Sequence, residues 1–164
     1  MTLDDLLTPR NTALIVLAGA LAVIAGAWGF QLIGNLPPCP LCLEQRWSWY
    51  VAIPLLLLAL TFTRSDPDGR LMRGLLAVSG AIILAGGALA AYHAGIEWGF
   101  WPGPTACSGG AGLDTSTRLP SLTNAIVVRC DEAAWRLFGI SLAGYNALIS
   151  LALAGLAFRA AMRG

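Results

Sequence analysis

The chain alternates long apolar stretches with short polar connections, and the length of the apolar stretches decides the fold class. Ala13–Ile33 runs for 21 residues without a charge, and Leu43–Phe62 for 20 with Glu44 and Arg46 confined to its first turn. Gly74–Tyr92 adds 19 residues and Leu137–Phe158 adds 22, both uncharged. A hydrocarbon core roughly 30 Å thick is crossed by roughly 20 residues rising about 1.5 Å each. Backbone polar groups in lipid must be paired within the spanning structure, and none of these stretches shows the two-residue alternation of a barrel strand, which leaves helices. The pattern predicts an all-α integral membrane protein, a single domain over residues 1–164 built as a four-helix bundle. Its transmembrane helices are expected at about residues 13–33, 43–62, 74–92 and 137–158.

Composition agrees with this reading. Hydrophobic residues make up 57% of the chain and charged residues 12%, against about 25% charged in soluble domains. So few charges cannot cover a water-facing exterior. A net charge of +1 provides no basic field for nucleic acid. The first apolar stretch is longer than a signal-peptide core and follows Asp4, Asp5 and Arg10, so it reads as a retained helix.

The arginines orient the bundle. Arg10 precedes the first helix, Arg64, Arg70 and Arg73 fall between the second and third, and Arg159 and Arg163 follow the fourth. In an alternating bundle these six share one side, which the positive-inside rule makes cytoplasmic, with both termini there. Asp66-Pro67-Asp68-Gly69 reads as a turn on that side. The outer side receives a short connection, Gly34–Cys42, and a long one, His93–Arg136. Within the long one, Leu122–Val128 reads as a short amphipathic helix in the membrane interface. Small residues recur at every fourth position (Ala18, Ala22, Gly26; Ala77, Ala81, Ala85; Gly139, Ala143, Ala147), as expected where helices approach closely. Pro54 is expected to kink the second helix. All six tryptophans fall at outer helix ends or in the outer loop; they read as a one-sided interfacial belt or, in part, as walls of a site for a flat apolar ligand.

All four cysteines also fall in the two outer connections: Cys39 and Cys42 in the first, Cys107 and Cys130 in the second. Thiols in an oxidising compartment are where disulfides persist. Cys39-Pro40-Leu41-Cys42 sits at the start of the second helix, whose N-terminus carries partial positive charge. Arg46 lies one turn beyond Cys42 on the same face. Both features favour a thiolate at Cys42. The ring closed by a CxxC is too small to be a useful staple, and a four-cysteine zinc site would need two close pairs, so no metal is expected. Cys107 and Cys130 are placed either to staple the long loop or to relay electrons by thiol–disulfide exchange. His93, the single histidine, closes the third helix on the outer side, where it is an interfacial polar residue or a hydrogen-bond partner for a quinone carbonyl.

Cys39-Pro40-Leu41-Cys42-Leu43-Glu44-Gln45-Arg46, the distal Cys107 and Cys130, and Trp135-Arg136-Leu137-Phe138-Gly139-Ile140-Ser141 together resemble the DsbB family of bacterial disulfide-bond formation proteins, over essentially the whole chain. That family is known for coupling DsbA to quinone and keeping the periplasm oxidising. The resemblance implies a multi-pass protein of the bacterial inner membrane with its cysteine loops in the periplasm. Cys107 would be attacked by a reduced, thioredoxin-fold DsbA-like partner; Cys130 would take up the electrons and exchange with Cys39. Cys42 would pass them to ubiquinone or menaquinone, assisted by Arg46, with His93 near the quinone. Gln45 stands where some relatives carry an acid, so no acid–base role transfers to it.

Two rivals remain at this level. Vitamin K epoxide reductase-like proteins are also four-helix bundles with a CxxC and a quinone, but their CxxC lies late in the chain. A disulfide-stapled structural membrane subunit would keep all four cysteines oxidised whatever the quinone supply. A transporter is disfavoured, because the expected spans hold no ionisable residue beyond the second helix's first turn.

Overall fold

The computed structural model describes residues 8–61, 69–104 and 128–163. Among them are four long helices: α1 (Pro9–Leu32), α2 (Pro40–Thr61), α3 (Arg70–Glu97) and α4 (Leu142–Met162). Two strands of two residues each, β1 (Arg136–Leu137) and β2 (Ile140–Ser141), pair antiparallel just before α4. α3 packs most extensively on α4 and then on α2, while α1 lies against α2 and α4.

Local chemistry sets the ends. Thr8 caps α1, its hydroxyl accepting from the Asn11 amide at 3.3 Å, and Pro9 occupies the first turn, where a missing N–H costs nothing. α3 ends in a Schellman turn: Gly99 has φ +75° and the Phe100 amide donates to the Gly95 carbonyl at 2.9 Å. Ser141 caps α4 by accepting from the Gly144 amide at 3.2 Å.

α1, α3 and α4 are long and apolar enough to cross a membrane. α2, at 22 residues, is long enough, but Glu44, Gln45, Arg46 and Ser48 make its first half polar. Packing inverts the size pattern of a water-soluble core. Ala13, Ala20, Ala52, Ala59, Ala154 and Ala157 are buried, while Leu14, Leu21, Leu57, Leu58, Leu84 and Leu151 face outward. This is the pattern expected of helices in lipid, which gives apolar helices no hydrophobic reason to associate and leaves small residues to the interior.

Three sequence-based expectations need correction. The fourth helix does not begin at Leu137. Phe138 (φ +50°) and Gly139 (φ +81°) form a two-residue hairpin turn with both central residues left-handed, so helix starts only at Leu142. The third helix does not end near Tyr92; it runs to Glu97, so His93 lies one turn inside it. Its 28 residues give about 42 Å of helix, more than the hydrocarbon requires.

Two of the three small-residue stripes are also displaced, while in the third Ala143 is buried and the Ala147 carbonyl faces Gly87. Ala18, Ala22, Gly26, Ala81 and Ala85 are exposed, and Gly139 lies in the hairpin. Close approach occurs elsewhere. A Cβ on Gly80 would sit 3.1 Å from the Ala157 Cβ, and one on Gly87 would sit 2.6 Å from the Ser150 Cβ. Alanine-rich helices carry four-residue spacings on several faces, and the partner helix selects which is used. Gly87→Val is therefore expected to destabilise the bundle by about 1–3 kcal/mol through overpacking, read as a lowered unfolding midpoint in detergent. Gly155→Ala, which meets nothing within 4 Å, is expected to leave the midpoint unchanged. Residues 122–127 of the expected interfacial helix and most of the expected Asp66–Gly69 turn lie outside the described residues. Pro54 is accommodated within α2.

Candidate redox site

The start of α2 brings Cys39, Cys42 and His93 together: the two sulfurs and a ring nitrogen of His93 all lie within 4.8 Å of one another. Cys39 is buried and Cys42 half-buried, and both are free thiols. The helix N-terminus acts first on Cys39, whose sulfur accepts the Cys42 backbone N–H at 3.1 Å. The sequence had directed that positive end at Cys42. Cys39 precedes the first helical residue, which is the position whose side chain meets a free N-terminal amide. The bond that Cys39 makes to the Cys42 side chain, together with burial, pushes its thiol up from the ordinary cysteine range.

Arg46 is buried, 8% exposed, and turns toward α1. Its Nη1 donates to Gln31 Oε1 at 2.8 Å and its Nη2 to the Ala27 carbonyl at 3.4 Å, with the guanidinium 5.4 Å from the centroid of the Trp28 ring. His93 is 2% exposed, with Nε2 3.7 Å from Cys39 Sγ and 3.8 Å from Glu97 Oε1. The ring also hydrogen-bonds the Cys130 backbone.

Cys130 is fully buried and disulfide-bonded; Cys39 and Cys42 are not its partners, since both are free. It packs in one small cluster with Cys39, Leu41 and Ile96. Cys107 lies outside the described residues. Beyond Cys130, Arg129 forms a two-pronged pair with Asp131 (2.9 and 2.6 Å), which holds the Asp131 carboxyl below its usual range.

These groups border a cavity of about 540 Å³. Its walls are mostly apolar, with Val23, Ala27, Phe30, Leu36, Trp135 and Ile149 among them, and Cys42, Arg46, His93 and Glu97 are among its polar points. The tryptophans divide between the two readings. Trp49 and Trp135 line the cavity, whereas Trp47, Trp98 and Trp101 are exposed.

Three contributors were missed in the sequence, namely Gln45, Asn146 and Glu97. Gln45 Nε2 contacts His93 Nδ1 at 2.8 Å, Asn146 Nδ2 donates to Gln45 Oε1 at 2.8 Å, and Trp49 Nε1 donates to Asn146 Oδ1 at 3.1 Å. Asn146 was visible as a polar residue inside an apolar span, a common mark of interhelical hydrogen bonding. Glu97 was hidden by ending the third helix too early, although it stands one turn from His93.

A family model described as disulfide bond formation protein DsbB matches residues 9–160. The chain belongs to the DsbB family. It is similar to a disulfide bond formation protein B of Nitrosospira multiformis, 29% identical over 152 residues, covering 90% of this chain and 88% of that protein. A namesake from Saccharophagus degradans is 35% identical over 86 residues, 52% of this chain, and the match spans only 51% of that relative's length. An uncharacterised protein of Rickettsia prowazekii is 23% identical over 144 residues, 85% of this chain and 80% of that one. No solved structure matches. DsbB membership implies disulfide-bond formation, and the free CxxC beside a disulfide-bonded cysteine is an arrangement suited to thiol oxidoreductase chemistry.

Proposed function

We propose that this DsbB-family chain oxidises a periplasmic, thioredoxin-fold DsbA-like dithiol protein and delivers the electrons to a membrane quinone, ubiquinone or menaquinone. All four helices cross the inner membrane in this reading, α2 with its polar first half at the periplasmic edge and turned into the bundle, both termini being cytoplasmic. The observation that carries it is the free Cys39–Cys42 pair at a largely apolar cavity, with disulfide-bonded Cys130 in the same buried cluster as Cys39.

Each exchange balances. A partner dithiol reduces the Cys107–Cys130 disulfide and leaves as a disulfide; the resulting thiols reduce a Cys39–Cys42 disulfide in the same way, each step passing through a mixed disulfide. Free thiols at Cys39 and Cys42 beside an oxidised Cys130 correspond to the state reached after that second exchange. A bound quinone supplies the two-electron, two-proton sink that returns the inner pair to a disulfide. The cavity suits such a group: its walls are mostly apolar, with convergent polar side chains able to fix an orientation. Arg46 and His93 would hold the ligand's oxygens; both sulfurs border the cavity, and because Cys39 is clustered with Cys130, Cys42 is the one proposed to meet the quinone.

Trapping tests the reading. With Cys130→Ser, a soluble periplasmic dithiol protein is expected to accumulate as a mixed disulfide with Cys107, visible as a reducible band and identified by mass spectrometry. Absence of any adduct, together with no quinone reduction by wild-type protein supplied with a reduced DsbA-like protein, would defeat the proposal.

A further inference from the structure

The polar chain behind His93 has a fixed direction. An indole N–H only donates, so Trp49 Nε1 must give its proton to Asn146 Oδ1. That leaves the Asn146 amide nitrogen to donate to Gln45 Oε1, and the Gln45 amide nitrogen to donate to His93 Nδ1. Nδ1 is therefore an acceptor, and the single proton of a neutral ring sits on Nε2, the nitrogen that faces Cys39 and Glu97. A second proton on Nδ1 would oppose the Gln45 donor and require turning over two buried amides against an indole that cannot reverse. His93 is held as a donor and is blocked from acting as the base.

The group left to move protons is Glu97. Its side chain is 6% exposed, it borders the same cavity as Cys42, and its Oε2 is buried without a hydrogen-bond partner among the described residues. A buried carboxylate oxygen left unpaired is costly, and here it stands at a space able to receive a ligand. The charged and titratable groups around it are His93 on α3, Cys39 and Cys42 at the start of α2, and Arg136 of β1, whose Nη2 donates to the Glu97 carbonyl at 2.9 Å. Arg46, Arg129 and Glu132 border the same cavity.

We propose that Glu97 is the proton-transferring carboxyl of this site, with Trp49, Asn146 and Gln45 acting as positioning residues that lock His93 as a neutral Nε2–H donor. The proposal rests on the quinone-coupled reading above. Oxidation of the inner pair breaks two S–H bonds, forms the Cys39–Cys42 bond, and releases two electrons and two protons. The quinone takes both electrons. Both protons follow: one passes directly from the Cys42 thiol to the acceptor across the shared cavity, and Glu97 takes the other from the thiol side and yields it to the reduced acceptor, ending unchanged.

Two measurements test this. Because His93 is the single histidine of the chain, ¹⁵N-histidine labelling of protein carrying no histidine tag reports on it alone. Quinone-free, reduced wild-type protein is expected to show a neutral ring with Nε2 protonated, and Trp49→Phe is expected to lose that single tautomer. An Nδ1–H ring or an imidazolium at neutral pH in the wild type overturns the lock.

In the second, Glu97→Gln is expected to slow quinone reduction by about 100-fold or more, the lower range for a positioned acid–base group. Glu97→Asp should recover part of the loss. Iodoacetamide should still alkylate the reduced, quinone-free Glu97→Gln pair at least as fast as wild type. Wild-type quinone reduction with an unaffected Glu97→Gln overturns this inference alone, as does joint loss of quinone reduction and alkylation, the mark of a structural role. Failure of wild-type protein to reduce quinone overturns the oxidase reading, and this inference with it.

Discussion

Cys42→Ser is expected to bring dithiol-driven quinone reduction down to the uncatalysed background. The inner pair must release two electrons together, and with one sulfur gone no disulfide can re-form between residues 39 and 42. The variant should still react part-way. Cys39 is free, buried 3% exposed, and packed with Cys130, so its thiolate can attack Cys130 of the outer disulfide, forming a Cys39–Cys130 bond and releasing Cys107 as a thiol. The mixed disulfide that forms then lacks the Cys42 thiol that would resolve it toward the inner pair, leaving only the return through Cys107. The expected signature is thus two-sided: no quinone reduction, and accumulation of a Cys39–Cys130 linkage on non-reducing gels after peptide mapping. Cys39→Ser should also be inactive but accumulate no such linkage. Wild-type turnover in Cys42→Ser would eliminate the inner pair as the exit for electrons.

That pair was legible in the sequence because its signals are local. CxxC at a helix start, an arginine one turn on, and membrane spans counted in residues need no knowledge of which helices touch. The number of helices and the neighbourhood of Cys39, Cys42 and His93 follow from such signals. What escaped depended on neighbours. Gln45 is one polar residue in a polar turn until Asn146 of α4 and His93 of α3 close on it. Glu97 gains meaning only once α3 continues past His93, and the marker of that continuation is the Gly99 turn six residues later. The hairpin before α4 was hidden by its own apolar residues, since Leu137, Phe138 and Ile140 read as the start of a span. Two consecutive left-handed residues decide otherwise. Two of the three helix-facing stripes failed for the same reason: composition offers several, and packing uses only some.

Arg46 carries two expectations from the sequence, a charge favouring a thiolate at Cys42 and assistance at the quinone, and its contacts bear on the second. The sequence placed its charge over Cys42, yet the guanidinium is committed to α1, bonding Gln31 and the Ala27 carbonyl while lying over Trp28. It ties α1 to α2 along the cavity wall and keeps a cation at a mostly apolar lining. Arg46→Ala is therefore expected to act mainly on quinone binding. Loss of one charge-assisted hydrogen bond to a ligand oxygen is worth about 1.5–3 kcal/mol, or roughly 10- to 100-fold in the quinone KM, with a smaller fall in kcat. Arg46→Lys should not restore the KM. A lysine presents one compact ammonium, whereas this position needs two divergent planar donors and a face to stack on the indole. Steady-state titration of quinone at saturating reduced partner separates the two constants. If Arg46→Ala lowered kcat alone and left KM at the wild-type value, the guanidinium would be acting on the sulfur chemistry after all, and the tie to α1 would be incidental.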